Sequence, residues 1–96
     1  MYALHFTKTF TPTYKSLIKG HQEFEKRTEK ALRLLKNDPF YPSLKSHKVK
    51  TRNFGEKWSS WITGNLRIIW DFNEKENKII LLFAITQHSG SYMEYK

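Results

Sequence analysis

The sequence predicts an α+β domain: two N-terminal helices packed on one face of a small, mainly antiparallel sheet, in the order β-α-α-β-β-β. Three observations carry this. Residues 21–36 repeat their apolar positions at helical spacing. The second half holds three apolar, strand-like segments separated by short polar turns. The chain begins with alternating apolar and polar residues. Two helices followed by a meander make a two-layer domain, helices on one sheet face and the other face left for function.

Tyr2, Leu4, Phe6 and Phe10 alternate with polar or small residues, a strand signal that Thr11-Pro12-Thr13 breaks. Thr13 is placed to cap a short helix through Ile18, which Gly20 ends. In the next helix Phe24, Thr28, Ala31, Leu32 and Leu35 share a face. The opposite face carries Glu23, Glu25, Lys26, Arg27, Glu29, Lys30 and Arg33. That charge run reads as a solvated face or as a platform for a partner. Asn37-Asp38-Pro39 stops the helix, since the residue before a proline avoids helical geometry. Residues 40–54 show no period and many cations, and read as an extended basic loop. Strand segments follow at 57–63 and 66–72, turning at Gly64-Asn65. Asn73–Asn77 is a polar turn. Ile79–Thr86 is nearly all apolar, as for a central strand buried on both faces.

Ninety-six residues make a single domain, 1–96, with one core: a chain this short buries roughly 60–70% of its unfolded surface. Aromatic residues are 16% of the chain, which argues for a packed domain. Seventeen Lys+Arg against nine Asp+Glu give a net charge of +8, favouring polyanions or an acidic protein partner. The absence of cysteine excludes disulfides and thiolate metal sites. No apolar run approaches the ~18 residues of a membrane span, and Met1–His5 is unlike a signal peptide. A cytoplasmic location and no membrane partner are therefore expected.

Arg67 stands inside a strand, between Leu66 and Ile68. Alternation places Leu66, Ile68, Trp70 and Phe72 on one face and Arg67, Ile69 and Asp71 on the other. With the first set toward the helices, Arg67 projects from the open face, where a guanidinium can grip a phosphate bidentately. An Arg67–Asp71 ion pair is the plainer reading, compatible with the first. His88 closes the last strand, where imidazole can move a proton near neutral pH. Tyr92 can stack on a base, hydrogen-bond a phosphate, or pack the tail. Lys45, Lys48, Lys50 and Arg52 surround His47 in the basic loop and can neutralise backbone phosphates. His47 can pair with His88 as acid and base. That is the minimum for RNA cleavage by the 2′-hydroxyl, with no metal ion and no cofactor required. Trp58 and Trp61 have opposite parity, so one is core and the other a stacking surface. The pattern does not choose, although Trp61 shares its face with Ser59. His5, His21, His47 and His88 lack ligand spacing, and no P-loop, Rossmann, HExxH or CxxC pattern occurs.

Over nearly its whole length the chain resembles the RelE/ParE superfamily of bacterial type II toxin–antitoxin toxins. The resemblance rests on Asp38-Pro39, Leu44-Lys45-Ser46-His47-Lys48-Val49, Trp58-Ser59, Gly64-Asn65-Leu66-Arg67-Ile68-Ile69-Trp70 and Thr86-Gln87-His88-Ser89-Gly90-Ser91-Tyr92. It implies a metal-independent endoribonuclease that cleaves mRNA, often on the ribosome, and a cognate antitoxin that blocks this surface. It further implies catalytic roles for Arg67 at phosphate, His47 and His88 at the protons, and Tyr92 as the terminal aromatic. Lys45, Lys48, Lys50, Arg52 and Trp61 would bind RNA. The chain also departs from the family pattern. YafQ-like members carry a histidine and an aspartate where Trp61 and Asn65 stand, and RelE-like members carry paired lysines near Ser59 and Trp61. ParE-type relatives share the fold but poison DNA gyrase without cleaving RNA, which is one alternative reading; an inactive basic module that binds RNA or the antitoxin is the other.

Overall fold

The computed structural model describes residues 1–87. His88 and Tyr92 lie outside the described residues. The elements are β1 (Ala3–Phe6), α1 (Phe10–Leu17), α2 (Gln22–Asn37), a 3-10 turn (Pro42–Leu44), β2 (His47–Thr51), β3 (Gly55–Trp61), β4 (Leu66–Phe72) and β5 (Ile79–Gln87). The five strands form one sheet in the order β1-β5-β4-β3-β2. β1 runs parallel to β5, and the other three pairings are antiparallel.

α+β layering with two helices against a mainly antiparallel sheet is as the sequence predicts. The basic segment is the main correction. Its second half is not a loop but β2, paired from His47↔Ser59 to Thr51↔Gly55. Its signal was weak because β2 is an edge strand: Lys48 and Lys50 are exposed, Val49 and Thr51 buried. The order is thus β-α-α-β-β-β-β. β1 is shorter than the alternation suggested. α1 begins at Phe10, three residues before the expected cap. Thr13 instead lies inside the helix, donating to the Phe10 carbonyl at 2.7 Å and accepting from the Ile85 amide at 2.8 Å. That second bond ties the helix to β5 beyond the end of β1. Gly20, at φ +89°, ends the connection to α2 as expected.

The main core lies between the helices and one sheet face. It joins Phe10, Ile18, Ala31, Leu35 and Leu44 to Leu66, Ile68, Trp70, Ile80, Leu82 and Ile85. Burial of Thr28, Ala31 and Leu35 confirms the apolar face of α2. β5 contributes Ile80 and Leu82 but then Ile85, a change of parity. A register shift explains it: Ile69 pairs with Ala84 and Trp70 with Leu82, so Phe83 is an extra residue. The bulge turns Phe83 to the far face. There it joins Val49, Ile69 and Phe54 in a second, smaller cluster. The face away from the helices is therefore partly occupied by its own apolar cluster, rather than wholly open.

Candidate functional site

Strand register assembles the site on the face away from the helices, because directly paired residues point to the same side. One row is Trp61–Arg67–Thr86, contributed by β3, β4 and β5. The next row is His47–Ser59–Ile69–Ala84. Lys45 stands just before β2, two residues from His47. The structure thus places Lys45 and Arg67 at the Trp61 ring and His47 in the neighbouring row of the same face; the alternation of β4 required this only of Arg67.

Arg67 is held rather than presented. It is only 3% exposed, so the expectation of a projecting side chain is corrected. Its Cζ lies 4.1 Å from the centroid of the Trp61 ring, and Nη1 donates to the Thr63 carbonyl at 3.4 Å. Lys45 Nζ approaches the same ring at 4.3 Å. Trp61 is therefore a cation-binding platform, and bases do not find a bare ring. Asp71 does not orient Arg67. It pairs with Lys57 at 3.6 Å, four residues farther down the strand.

His47 is fixed by its own chain. Its Nδ1 lies 2.9 Å from the Lys45 carbonyl. A carbonyl accepts and cannot donate, so Nδ1 carries the hydrogen and Nε2 of the neutral ring is the proton-accepting atom. The geometry depends on Lys45 adopting the left-handed conformation, φ 48° and ψ 42°, that ends the 3-10 turn. A non-glycine residue there is strained, and such strain tends to collect at functional sites.

Two hydroxyls that sequence reasoning passed over also belong to this face. Ser59 is fully buried and Thr86 is 8% exposed, and neither hydroxyl has a hydrogen-bond partner among the described residues. A buried, unsatisfied hydroxyl costs about 1–3 kcal/mol. Thr86 was hidden by the bulge, which an apolar run does not reveal.

The remaining basic residues part company with this group. Lys48 pairs with Trp58, and Trp58 with Trp70, so Lys48 faces the helix side, its Nζ 4.9 Å from the Trp58 ring. Lys50 has the same parity. Arg52 lies in the β2–β3 turn, five residues from His47 and about 17 Å along the strand. Trp58 and Trp61 do divide as core and far face, respectively. Among the described residues no cluster of His, Asp and Glu could hold a metal ion. No described helix is long and apolar enough to cross a membrane.

No protein-family model matches this sequence, and no curated protein matches it. Solved structures do. A YoeB/ParE toxin from Agrobacterium tumefaciens superposes with a TM-score of 0.69 at 17% identity, covering 91% of this chain and 99% of that one. An archaeal RelE–RelB complex from Pyrococcus horikoshii OT3 gives 0.66 at 18%, covering 90% and 93%. YafQ from E. coli strain BL21(DE3) gives 0.68 at 13%, covering 91% and 93%. At such identities the likeness lies in the fold: this chain has the fold of the RelE/ParE-superfamily toxins.

Proposed function

We propose that this chain is the toxin of a type II toxin–antitoxin pair and acts as an endoribonuclease on mRNA, on the translating ribosome. The observation that carries the reading is that Arg67 and Lys45 lie on the Trp61 ring, with His47 in the neighbouring row of the same sheet face and bonded to the Lys45 carbonyl. The fold likeness to RelE, YoeB and YafQ toxins supports it. The partner is a cognate antitoxin, in keeping with the toxin–antitoxin complex RelBE2 from Mycobacterium tuberculosis, which shares the fold.

The chemistry needs three things. A base takes the proton of the 2′-hydroxyl as its oxygen forms a bond to phosphorus. Positive charge stabilises the phosphorane. An acid protonates the 5′-oxygen as the P–O5′ bond breaks, leaving a 2′,3′-cyclic phosphate and a 5′-hydroxyl. Nε2 of His47 and the ring of His88, the residue after Gln87 in the chain, are proposed to exchange these protons. Each such group is worth roughly 10²–10⁴-fold. Arg67 supplies the charge, and Lys45 assists at the phosphate. A guanidinium only 3% exposed reaches a phosphate only if RNA binding uncovers it. Tyr92 is proposed to position the substrate.

The same burial favours a second reading, a gyrase-binding toxin in which Arg67 only braces the sheet. Induced expression of wild type, Arg67→Lys and His88→Ala in a bacterial host separates the two. Cuts mapped at mRNA 5′ ends in wild type and absent from both variants support the ribonuclease. Growth arrest with intact mRNA and impaired supercoiling, unchanged in the variants, supports the gyrase reading.

A further inference from the structure

Lys48 belongs to a different surface from the one just described. On the helix side of the sheet, past the C-terminal end of α2, aromatic rings form a row. Tyr2 lies 5.8 Å from Phe72, Phe72 6.3 Å from Phe40, and Phe40 5.0 Å from Trp58, centroid to centroid. Each end carries a lysine over a ring: Lys78 is 5.4 Å from Tyr2 and Lys48 is 4.9 Å from Trp58. Phe40 is 49% exposed although it touches three other rings. Tyr2, Trp58 and Phe72 are half-buried, and a small open cavity at the Tyr2 end is lined by Tyr2, Phe72, Asn77 and Lys78.

The row is longer than packing requires. A core needs rings such as Trp70, which is fully buried and satisfied. It does not need a half-exposed Phe40, nor cations held over both terminal rings. Partly exposed rings flanked by lysines suit an unpaired nucleic acid strand: bases stack on the rings, and phosphates meet the ammonium groups. His47 and Lys48 are neighbours on the edge strand β2 and face opposite sides of the sheet, so one strand of RNA bent round β2 can reach both faces. We propose that the strip Tyr2–Phe72–Phe40–Trp58, with Lys48 and Lys78 at its ends, is a second binding surface for single-stranded RNA. The inference rests on the ribonuclease reading only for its choice of RNA as the polyanion.

The test is binding of a short, 2′-O-methylated single-stranded RNA, which cannot be cleaved, followed by fluorescence anisotropy across a salt series. Phe40→Leu keeps an apolar cover on Trp58 but loses the stacking face, and should raise Kd about tenfold. Lys48→Gln with Lys78→Gln should flatten the salt dependence by about 0.7 per lysine in log–log slope. In an Arg67→Lys background the losses caused by Phe40→Leu and by the two lysine changes should persist, because the strip lies on the other face. Unchanged Kd and slope in the strip variants overturn the proposal, as does an equal loss for duplex DNA. Wild-type protein that binds through the strip but cuts no mRNA on translating ribosomes would defeat the ribonuclease reading and leave the strip standing.

Discussion

Arg67 and Trp61 are direct cross-strand partners, and the guanidinium lies on the indole, Cζ 4.1 Å from the ring centroid. Register and side-chain chemistry agree here. The antiparallel pairing of β3 with β4 sets the two Cβ atoms side by side, and the cation meets the π-face. With the bond to the Thr63 carbonyl, the contact helps to orient a buried charge. A planar guanidinium can stack and still direct its outer edge, whereas an ammonium cannot. Arg67→Lys should therefore lower RNA cleavage by about 10²–10³-fold, the range for losing one preorganised donor to a developing oxyanion. Cleavage rates on a defined mRNA in translating ribosomes, alongside a thermal melt, check this. Wild-type rates in the lysine variant would mean that charge alone suffices.

Trp61 meets Lys45 as well as Arg67. Trp61→Leu keeps apolar volume but removes both cation–π contacts, each worth about 0.5–2 kcal/mol. We expect a stability loss of about 1–3 kcal/mol in urea unfolding together with loss of cleavage. A loss of cleavage with no loss of stability would instead make Trp61 a substrate-stacking residue.

His47 is expected to show an asymmetric ring. Its Nδ1 donates to the Lys45 carbonyl, so ¹⁵N spectra of the neutral ring should find the hydrogen on Nδ1 and none on Nε2. His47→Ala should slow cleavage by about 10²–10⁴-fold. If the hydrogen is found on Nε2, the base assignment for His47 fails.

The layers and the position of Arg67 were legible because period alone decides them. A 3.6-residue repeat buried Thr28, Ala31 and Leu35, and a two-residue repeat set Arg67 opposite Ile68. β2 was not legible. An edge strand buries few residues, and its lysines mask the alternation that Val49 and Thr51 carry. The faces of the basic residues followed from that error. Once β2 pairs in register, His47 shares a face with Trp61 and Arg67, while Lys48 goes with Trp58; Lys45, before the strand, reaches the Trp61 ring. The bulge at Phe83 was equally hidden, because an unbroken apolar run contains nothing that marks a skipped residue.

Lys45 is a non-glycine residue at positive φ, and its carbonyl holds His47. A Cβ in the left-handed region costs about 1–2 kcal/mol, which glycine avoids. Lys45→Gly and Lys45→Ala both remove the cation from Trp61. The glycine variant should nevertheless be as stable as the alanine variant or more so, by up to about 1 kcal/mol. Its more flexible unfolded chain offsets part of the gain. Denaturant midpoints of the two variants decide it, and a clearly more stable alanine variant would exclude the left-handed turn.

Ser60 closes a hydrogen-bonded chain whose direction can be worked out. Ser46 Oγ donates to the Pro39 carbonyl at 2.6 Å, which uses its one hydrogen. In the 2.6 Å contact between Ser46 and Ser60, Ser60 must therefore be the donor. Ser60 Oγ then accepts from Trp70 Nε1 at 2.7 Å. The chain runs Trp70 to Ser60 to Ser46 to Pro39, crossing from β4 through β3 into the segment before β2. Ser60 and Trp70 are both fully buried, so water cannot replace a lost member. Ser60→Ala leaves the indole N–H unsatisfied and should cost about 1–3 kcal/mol. Ser46→Ala spares the indole its loss and should cost less. Once Trp70 is Phe, no N–H remains to be orphaned, so Ser60→Ala should become milder by about 1 kcal/mol or more. Additive losses in that double-mutant cycle would mean that the indole bond does not contribute to holding β3 and β4 together.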